Sequence, residues 1–389
     1  MYKKGIMAII NKQQADALIS KQGFSGSYLP EQVTFLLRRT HIQATDTVEK
    51  EHLIQSGQKH YSQMISQEHA PSERHLALYE NALRQGQQRL AENVQQLAQT
   101  LATQFVEPIV LVSFVRAGVP LGVLLYHALQ DLDRPCIHYG VSILRDRGID
   151  FAALETIIAK HGHQSIVFVD GWTGKGAIRQ ELQRSLGDDP RFAHRPLPLV
   201  VLSDIGGCAW LAASGDDWLI PSGVLGSTIS GLISRTICEG EPLKAEEINA
   251  QNIDQWHSCI EYTQLEKFDQ SQQFIEKINQ IRRQCSVQPN AVWTETQRQQ
   301  QHQQSQQVIQ DLAQQYQITN LNRIKPSIAE ATRAILRRVP DLVLLRDADD
   351  ADTALLRHLT DITQTPTKVV GDQIAPYRAI TLIQKLGKN

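Results

Sequence analysis

The chain has 389 residues, which is enough for roughly two to three domains of ~150 residues each. Hydrophobic residues make up 41% and charged residues 21%, so a buried core can form and disorder of the whole chain is excluded. Because 39 Lys and Arg face 41 Asp and Glu, the formal net charge is -2 and any site for a polyanion must be local.

Residues 1–105 are predicted to form a mostly helical N-terminal extension. The chain begins with two lysines and a short apolar run, 5–10, which is too short for the apolar region of a secretory signal. Apolar residues at three- and four-residue spacing predict an amphipathic helix over Arg84–Phe105. No apolar stretch approaches the ~20 residues that a bilayer requires, so we expect a cytoplasmic protein with no membrane partner.

Residues 106–240 alternate between short β-rich apolar runs and helical segments. This alternation predicts an α/β core with a doubly wound parallel sheet. The predicted strands are Ile109–Phe114, His138–Ile143, Ile166–Val169, Leu199–Leu202 and Trp218–Ile220, and the predicted helices are Leu121–Leu129, Phe151–His161 and Ala177–Leu186.

Residues 241–318 are predicted to form a helical segment and a Gln-rich linker. The stretch Glu295–Gln317 is either a low-complexity linker or a solvated helix. A small α/β domain is predicted over 319–389. Its elements are a helix at Pro326–Val339, a strand at Asp341–Arg346, a helix at Asp352–Thr363, a strand at Thr367–Val370 and a helix from Tyr377.

A glycine-rich loop follows the third predicted strand. The strand ends in Asp170, and the loop leads directly into a helix. Backbone N–H groups of such loops converge on anions at the carboxyl edge of a sheet. We therefore predict a phosphate site, with Asp170 placed to accept sugar hydroxyls or to lie near Mg²⁺. The phosphate-binding residues are Gly171, Thr173, Gly174, Lys175 and Gly176. The alternative is a tight strand-to-helix connection without a ligand.

Two upstream loops also contain residues suited to anions. The first predicted strand leads into Arg116, Ala117 and Gly118, where a planar guanidinium and close backbone approach suit phosphate oxygens. The second leads into Arg145, Asp146 and Arg147, a candidate mobile loop over the site. The alternatives are an arginine that pairs with an acid and a solvated charged loop.

Loops after the fourth and fifth strands are the candidate recognition surface for a second substrate. They contain Asp204, Cys208, Ser227 and Ser230. Ser227, Ser230 and Ser234 are predicted to share one helix face, so close packing of small residues is the alternative.

Five cysteines argue against a disulfide framework and against a zinc module, because their number is odd and no CxxC pair occurs. They are Cys136, Cys208, Cys238, Cys259 and Cys285. A lone cysteine is more often a small buried hydrophobe than a nucleophile.

The loops at 116–118, 145–147 and 170–176 resemble those of type I phosphoribosyltransferases, which use 5-phosphoribosyl-1-pyrophosphate (PRPP). The resemblance implies a type I phosphoribosyltransferase-like fold and glycosyl transfer from PRPP to a base-like acceptor, with release of pyrophosphate. It implies that Mg²⁺ binds through the pyrophosphate and that Arg116, Arg145, Arg147 and Asp170 take part in catalysis. A homo-oligomer is possible.

A closer resemblance rests on 170–176 together with Ser25-Gly26-Ser27-Tyr28, Lys50-Glu51 and His60-Tyr61-Ser62-Gln63-Met64. These motifs are similar to the phosphoribosyltransferase-like proteins of bacterial tellurium-resistance and stress gene clusters, which implies synthesis of a nucleoside-like metabolite. Relatives also carry the label cysteine protease StiP. The alternatives are therefore a non-catalytic regulator that binds a phosphoribosyl ligand or RNA and, less favoured, a protease. That protease would use Cys208, before a predicted helix, with His138 or His194 as base.

The segment 330–345 resembles the PELOTA-type RNA-binding fold. Residues 320–389 contain 11 Lys and Arg against 8 Asp and Glu, a net charge of +3. The resemblance implies an RNA partner. The candidate RNA-binding residues are Lys325, Glu330, Arg333, Arg337 and Arg338. The alternative is an exposed basic helix terminus, where arginine is favourable in any case.

Overall fold

The computed structural model describes residues 9–105, 108–193, 196–286 and 294–385. The described chain contains ten α-helices: α1 Lys12–Gln22, α2 Thr47–Gln55, α3 Glu73–Gln104, α4 Gly118–Gln130, α5 Phe151–His161, α6 Ala177–Leu186, α7 Ser271–Arg282, α8 Glu295–Gln315, α9 Ile328–Arg337 and α10 Ala354–Thr363. Short 3₁₀ turns occur between them.

Eleven strands form the two main sheets of the described chain. Ten of them are β1 Thr34–Phe35, β2 Ile109–Phe114, β3 Cys136–Val141, β4 Ile166–Val169, β5 Leu199–Asp204, β6 Leu211–Ser214, β7 Ile324–Pro326, β8 Pro340–Leu345, β9 Thr367–Val369 and β10 Ala379–Ile383, and the eleventh is the two-residue strand Trp172–Thr173, which pairs with β5. Two-residue strands occur at Arg38–Arg39, Ile143–Leu144, Gly148–Ile149, Trp172–Thr173 and Ser258–Cys259.

The larger sheet is parallel, with strand order β1-β3-β2-β4-β5-β6. In its centre Val112 of β2 lies opposite Tyr139 of β3 and Phe168 of β4. Buried, β-branched runs of this kind suit a sheet that is covered on both faces. The carboxyl ends of all these strands meet at one edge, where ligands of α/β proteins bind.

Helices cover both faces of this sheet. Leu111 belongs to one apolar cluster with α3 and α4, whereas its neighbour Val112 belongs to a second cluster with α5 and α6. This division follows from the two-residue side-chain period of a strand. The expected α/β architecture with a parallel sheet is confirmed.

Residues of the C-terminal region form a second sheet, with order β7-β10-β8-β9. β10 pairs antiparallel with β7 and β8, and β8 pairs parallel with β9. The side chains of this region belong to the same apolar cluster as one face of the main sheet. Asp217 fixes the junction, because its carboxylate accepts the N–H of Ile328 at 3.1 Å and that of Arg378 at 2.9 Å.

Several sequence predictions of elements are wrong. The predicted fifth strand of the core, Trp218–Ile220, is not a strand, and β6 follows β5 in the sheet instead. Trp218 is buried against α3, 3.2 Å from the position of a Cβ added at Gly86. The helix predicted from Tyr377 is strand β10, a fully buried central strand. Of the helical segment predicted in 241–290, only α7 is an α-helix within the described residues.

Other predictions are sharpened. The Gln-rich stretch 295–317 is a helix, α8, which starts with a capping box at Thr294. Ser227 and Ser230 do not share an α-helix with Ser234, because a three-residue 3₁₀ turn at Ser227–Ile229 ends before it. The predicted division at residues 105, 240 and 318 stays a prediction.

Candidate functional site

A cavity of about 790 Å³ lies at the carboxyl ends of β2, β3 and β4. Its walls are the loops that follow these strands, the segment 50–63 and helix α9. The loops meet here because their strands are parallel neighbours. The cavity therefore brings together Arg116, Ala117, Arg145, Arg147 and Asp170.

Arg116 is buried and forms an ion pair that sequence analysis missed. Its Nη1 lies 2.8 Å from Glu68 Oε2 and donates to the carbonyl oxygen of Ile233 at 3.2 Å. Burial favours a raised pKa for Glu68, but the charges of Arg116 and Arg337 outweigh it and lower that pKa to about 2. The alternative prediction, an arginine paired with an acid, describes this contact.

Asp170 and Gly118 lie where the first and third loops touch. Asp170 Oδ1 accepts the N–H of Gly171 at 2.8 Å, and burial raises the pKa of this carboxyl to about 7. A Cβ added at Gly118 would lie 2.2 Å from the carbonyl oxygen of Val169. Only glycine permits this close approach of two backbones.

The predicted phosphate loop contacts the C-terminal region. Lys175 Nζ donates to the carbonyl oxygens of Leu321 and Ile324, the latter at 3.1 Å. The Tyr377 hydroxyl donates to the carbonyl oxygen of Gly174 at 3.1 Å. Gly174 and Gly176 line the cavity, while the Lys175 ammonium is used within the protein.

Asp204 organises the turn that carries Cys208. Its carboxylate accepts the Thr173 hydroxyl at 2.7 Å and the N–H groups of Cys208 and Ala209 at 2.8 and 2.9 Å. Burial and the Asp204 charge raise the pKa of the Cys208 thiol. Strand β6 follows this turn in place of the predicted helix, so no helix N-terminus is present to activate the thiol.

The two predicted serines bond within the protein. The N–H of Ser227 donates to Glu68, and the Ser230 hydroxyl donates to the carbonyl oxygen of Gly226 at 2.9 Å. Together with Asp204 and Cys208, they lie outside the cavity lining.

Both arginines of the second loop line the cavity. Arg145 Nη1 contacts Asn322 Oδ1 at 3.4 Å, so this loop reaches the C-terminal region. Arg147 donates to the carbonyl oxygen of Gly240 at 2.8 Å and pairs with Glu241 at 3.0 Å. Asp146 is exposed, as expected for a charged loop.

Helix α9 directs its basic side chains into the cavity. The Arg333 guanidinium lies 4.6 Å from the centroid of the Trp172 ring, and Arg338 pairs with the buried carboxylate of Glu51. Lys325, Glu330 and Arg337 line the same cavity. An exposed basic helix terminus is therefore the wrong description of α9.

Sequence analysis did not assign a role to several further titratable residues of the site. They are Lys50, Glu51, His60, Glu68 and Arg235. Burial and the Arg235 charge lower the pKa of Lys50 to about 7. Lys50-Glu51 and His60 lie in motifs noticed only through the family resemblance, because isolated charges in a polar segment leave no periodic signal.

Of the two histidines proposed as the base for a protease at Cys208, His138 does not fill that role. His138 is buried between the Ser113 hydroxyl, 2.7 Å from Nε2, and the carbonyl oxygen of Gln32, 2.8 Å from Nδ1. Burial lowers its pKa to about 4. His194 lies outside the described residues.

The described residues contain neither a cluster of metal ligands nor a membrane-spanning helix. No group of three or more His, Cys, Asp or Glu there could hold a metal ion. The predicted Mg²⁺ was to bind through a phosphate ligand and stays a prediction. No described helix is long and apolar enough to cross a membrane.

Comparisons with known proteins identify the family. The family model "Tellurite-like stress resistance cysteine protease StiP" matches residues 26–279, and the model "PELOTA RNA binding domain" matches residues 303–385. A protein of Acinetobacter baylyi named "Cysteine protease StiP" is 79% identical over 382 residues, covering 98% of this chain and 100% of that protein. The chain belongs to the StiP family. No solved structure matches it, so the expected phosphoribosyltransferase-like fold is not shown.

These matches correct the predicted activity. A PRPP-dependent phosphoribosyltransferase is the wrong class, because the family and the Acinetobacter protein are both named for a cysteine protease. The same names contradict the non-catalytic alternative, although the PELOTA match supports its RNA-binding part. The less favoured alternative, a cysteine protease, is the class that these names give. The wrong prediction of activity came from the glycine-rich loop. Its glycines suggest a bound ligand, but residues of this loop contact the C-terminal region instead. The links to stress resistance and to a PELOTA region are confirmed.

Proposed function

We propose that this protein is a hydrolase of the cysteine-protease class acting in stress resistance, with Cys238 as its nucleophile. One arrangement at the cavity rim carries the proposal. The N–H of Cys238 donates to the carbonyl oxygen of Ser62 at 2.9 Å, and the Ser62 hydroxyl lies 2.8 Å from His60 Nδ1. The carbonyl oxygen of Gly240 accepts from both the Cys238 thiol, at 3.3 Å, and Arg147, at 2.8 Å.

The Arg147 guanidinium adds positive charge near both the Cys238 thiol and the His60 imidazole. Burial raises the pKa of Cys238, and the Arg147 charge acts against that rise. Burial and Arg147 also lower the pKa of His60, so its imidazole is neutral at pH 7 and able to accept a proton. Reactive cysteines occur in electropositive surroundings of this type.

In the proposed reaction His60 accepts the thiol proton as Sγ attacks the carbonyl carbon of a peptide bond. The C–N bond breaks, the amine leaves with that proton, and water then hydrolyses the thioester. In the structure both His60 nitrogens are held, by Ser62 Oγ and by the carbonyl oxygen of Arg145 at 3.2 Å. One of these contacts must exchange for Sγ when substrate binds.

The other thiols lack this combination. Cys136 and Cys259 are buried, as Cys238 is, and burial raises the pKa of all three thiols. No nearby charge among the described residues acts against that rise at Cys136, and at Cys259 the charge of Glu261 adds to it. Cys285 donates to the carbonyl oxygen of Ile281 beside the end of α7, away from the cavity. Cys208 lies beside Asp204, whose charge opposes a thiolate.

The test is hydrolysis of fluorescent casein by wild type and by three matched serine variants. Cys238→Ser should abolish hydrolysis and protect the protein from single-site alkylation by iodoacetamide, whereas Cys136→Ser should leave both unchanged. Loss of activity in Cys208→Ser with full activity in Cys238→Ser would reject this nucleophile. Absence of thiol-dependent hydrolysis by wild type would reject the activity itself.

We also propose that the region 303–385 binds RNA. The observation that favours it is the cationic wall formed by Lys325, Arg333, Arg337 and Arg338. Phosphate contacts make binding weaken with salt. Filter binding of a single-stranded RNA should therefore fall with salt concentration, and less steeply in Arg338→Gln than in wild type. Salt-independent binding would contradict the proposal.

A further inference from the structure

The cavity contains far more positive than negative charge. Twelve Lys and Arg residues line it, against four Asp and Glu. Since the whole chain has a formal net charge of -2, the excess is concentrated at this site. A concave surface with low-dielectric walls focuses such a field and attracts anions.

Ion pairs neutralise only part of this excess. Arg116 pairs with Glu68, Arg147 with Glu241, and Arg338 with Glu51. Arg333 and Arg337 on α9 differ, because no hydrogen bond or ion pair joins either guanidinium to a residue that the structure describes. Both are largely covered, so they are not solvated surface charges.

Three arginines that line the cavity each have a buried N–H group without a described acceptor. The Nε atoms of Arg116, Arg145 and Arg333 are buried without a hydrogen-bond partner in the described part of the chain. The first two belong to loops of the main sheet and the third belongs to α9, so the donors come from opposite walls. Buried N–H groups are nearly always paired. The positive charge of these three arginines is therefore not cancelled at Nε by any described acceptor.

Several cations of the cavity lower the pKa of their neighbours, which also favours a bound anion. The pKa of Arg337 is lowered by burial and by the charges of Arg116 and Arg333. Burial and the charges of Arg235, Arg337 and Arg338 lower the pKa of Lys50. The cations repel one another, and a multivalent anion between them would relieve that repulsion.

We propose that the cavity binds a compact group of two or three linked phosphates, held between Arg116 and Arg145 on one wall and Arg333 and Arg337 on the other. A volume of about 790 Å³ lies within the ordinary range of small-ligand sites. The same chemistry is supplied by a free polyphosphate compound or by the 5′-triphosphate end of an RNA strand. If the phosphates belong to the 5′ end of an RNA strand, the inference rests on the proposed RNA binding.

The test is calorimetric titration of sodium tripolyphosphate into the full chain. Arg333→Gln and Arg337→Gln should each weaken binding by roughly tenfold or more, since each removes charge-assisted bonds to phosphate. Arg346→Gln is the matched control, because Arg346 is exposed and pairs with Asp372 outside the cavity. Thermal unfolding checks each variant. No hydrogen bond or ion pair of the Arg337 guanidinium is found among the described residues, so Arg337→Gln decides the result if Arg333→Gln unfolds.

Titrations with RNA distinguish a free polyphosphate from an RNA 5′ end, and they distinguish phosphate binding in the cavity from RNA binding by the region 303–385. Two oligonucleotides of one sequence, with a 5′-triphosphate and with a 5′-hydroxyl, are titrated in parallel. Tighter binding of the triphosphorylated RNA than of tripolyphosphate identifies a strand end, and equal binding identifies a free compound. If tripolyphosphate does not bind and 5′-hydroxyl RNA binds wild type and Arg337→Gln equally, this inference is overturned while RNA binding stands. Loss of tripolyphosphate binding in Arg346→Gln as well also overturns it.

Discussion

Glu68→Gln should lower the free energy of unfolding at neutral pH by roughly 3 kcal/mol. The folded protein lowers the pKa of Glu68 from 4.5 to about 2, and each pKa unit corresponds to ~1.4 kcal/mol of interaction with the ionised form. The side chain is 23% exposed, so the pair with Arg116 is only partly screened. A neutral amide of the same shape keeps the packing and loses the charge.

The same pKa shift determines how the stabilisation by Glu68 varies with pH. Because the folded-state pKa lies below the unfolded value, Glu68 contributes its full stabilisation above about pH 4.5 and loses it as the pH falls through about 2. The difference between Glu68→Gln and wild type in urea unfolding should therefore shrink as the solution is acidified. Glu80→Gln, an exposed position on α3, should change stability by less than about 0.5 kcal/mol. Equal effects of the two variants, or a difference that does not vary with pH, would refute the reasoning.

Three further predictions concern the backbone and the junction with the C-terminal region. Burial raises the pKa of Asp217 from 3.8 to about 7, so the folded protein binds this proton more tightly than the unfolded chain does. The resulting stabilisation is complete below about pH 3.8 and is lost as the pH rises through about 7. The melting temperature of wild type should therefore fall relative to that of Asp217→Asn over this pH range. Gly118→Ala should cost roughly 2 kcal/mol or more in urea unfolding, because its Cβ would lie 2.2 Å from the carbonyl oxygen of Val169, whereas Gly240→Ala has open space and should be tolerated. Tyr377→Phe should cost about 1 kcal/mol, since it removes one buried hydrogen bond, and a cost below ~0.3 kcal/mol would contradict that contact.

The sequence predicted correctly those strands and helices whose signals lie within the element itself. Strands β2 and β4 and helices α5 and α6 have the predicted bounds. Their signals are buried β-branched runs and start signals such as Asp150, which accepts the N–H of Ala153 at the beginning of α5. The strand Ala379–Ile383 was predicted as helix because a short apolar run does not distinguish the two. Its place between β7 and β8 comes only from tertiary pairing.

The loops of the site were predictable and their partners were not. Strand order alone brings residues 116, 145 and 170 to one edge, as expected for parallel strands. The carboxylates that balance the site come from distant segments. Arg338 and its partner Glu51 are separated by 287 positions, and one sequence contains no record of such a pair.

The orientation of α9 connects the two proposed activities. This helix covers the cavity whose rim carries His60 and Arg147, and its Arg333 lies on the Trp172 ring beside the glycine-rich loop. A phosphate ligand held by Arg333 and Arg337 would fix α9 against the loops of the main sheet. Arg145 lines the cavity, and its carbonyl oxygen contacts His60 Nε2, so movement of its loop changes the contacts of the proposed base. Hydrolysis of casein should therefore respond to tripolyphosphate in wild type and fail to respond in Arg337→Gln.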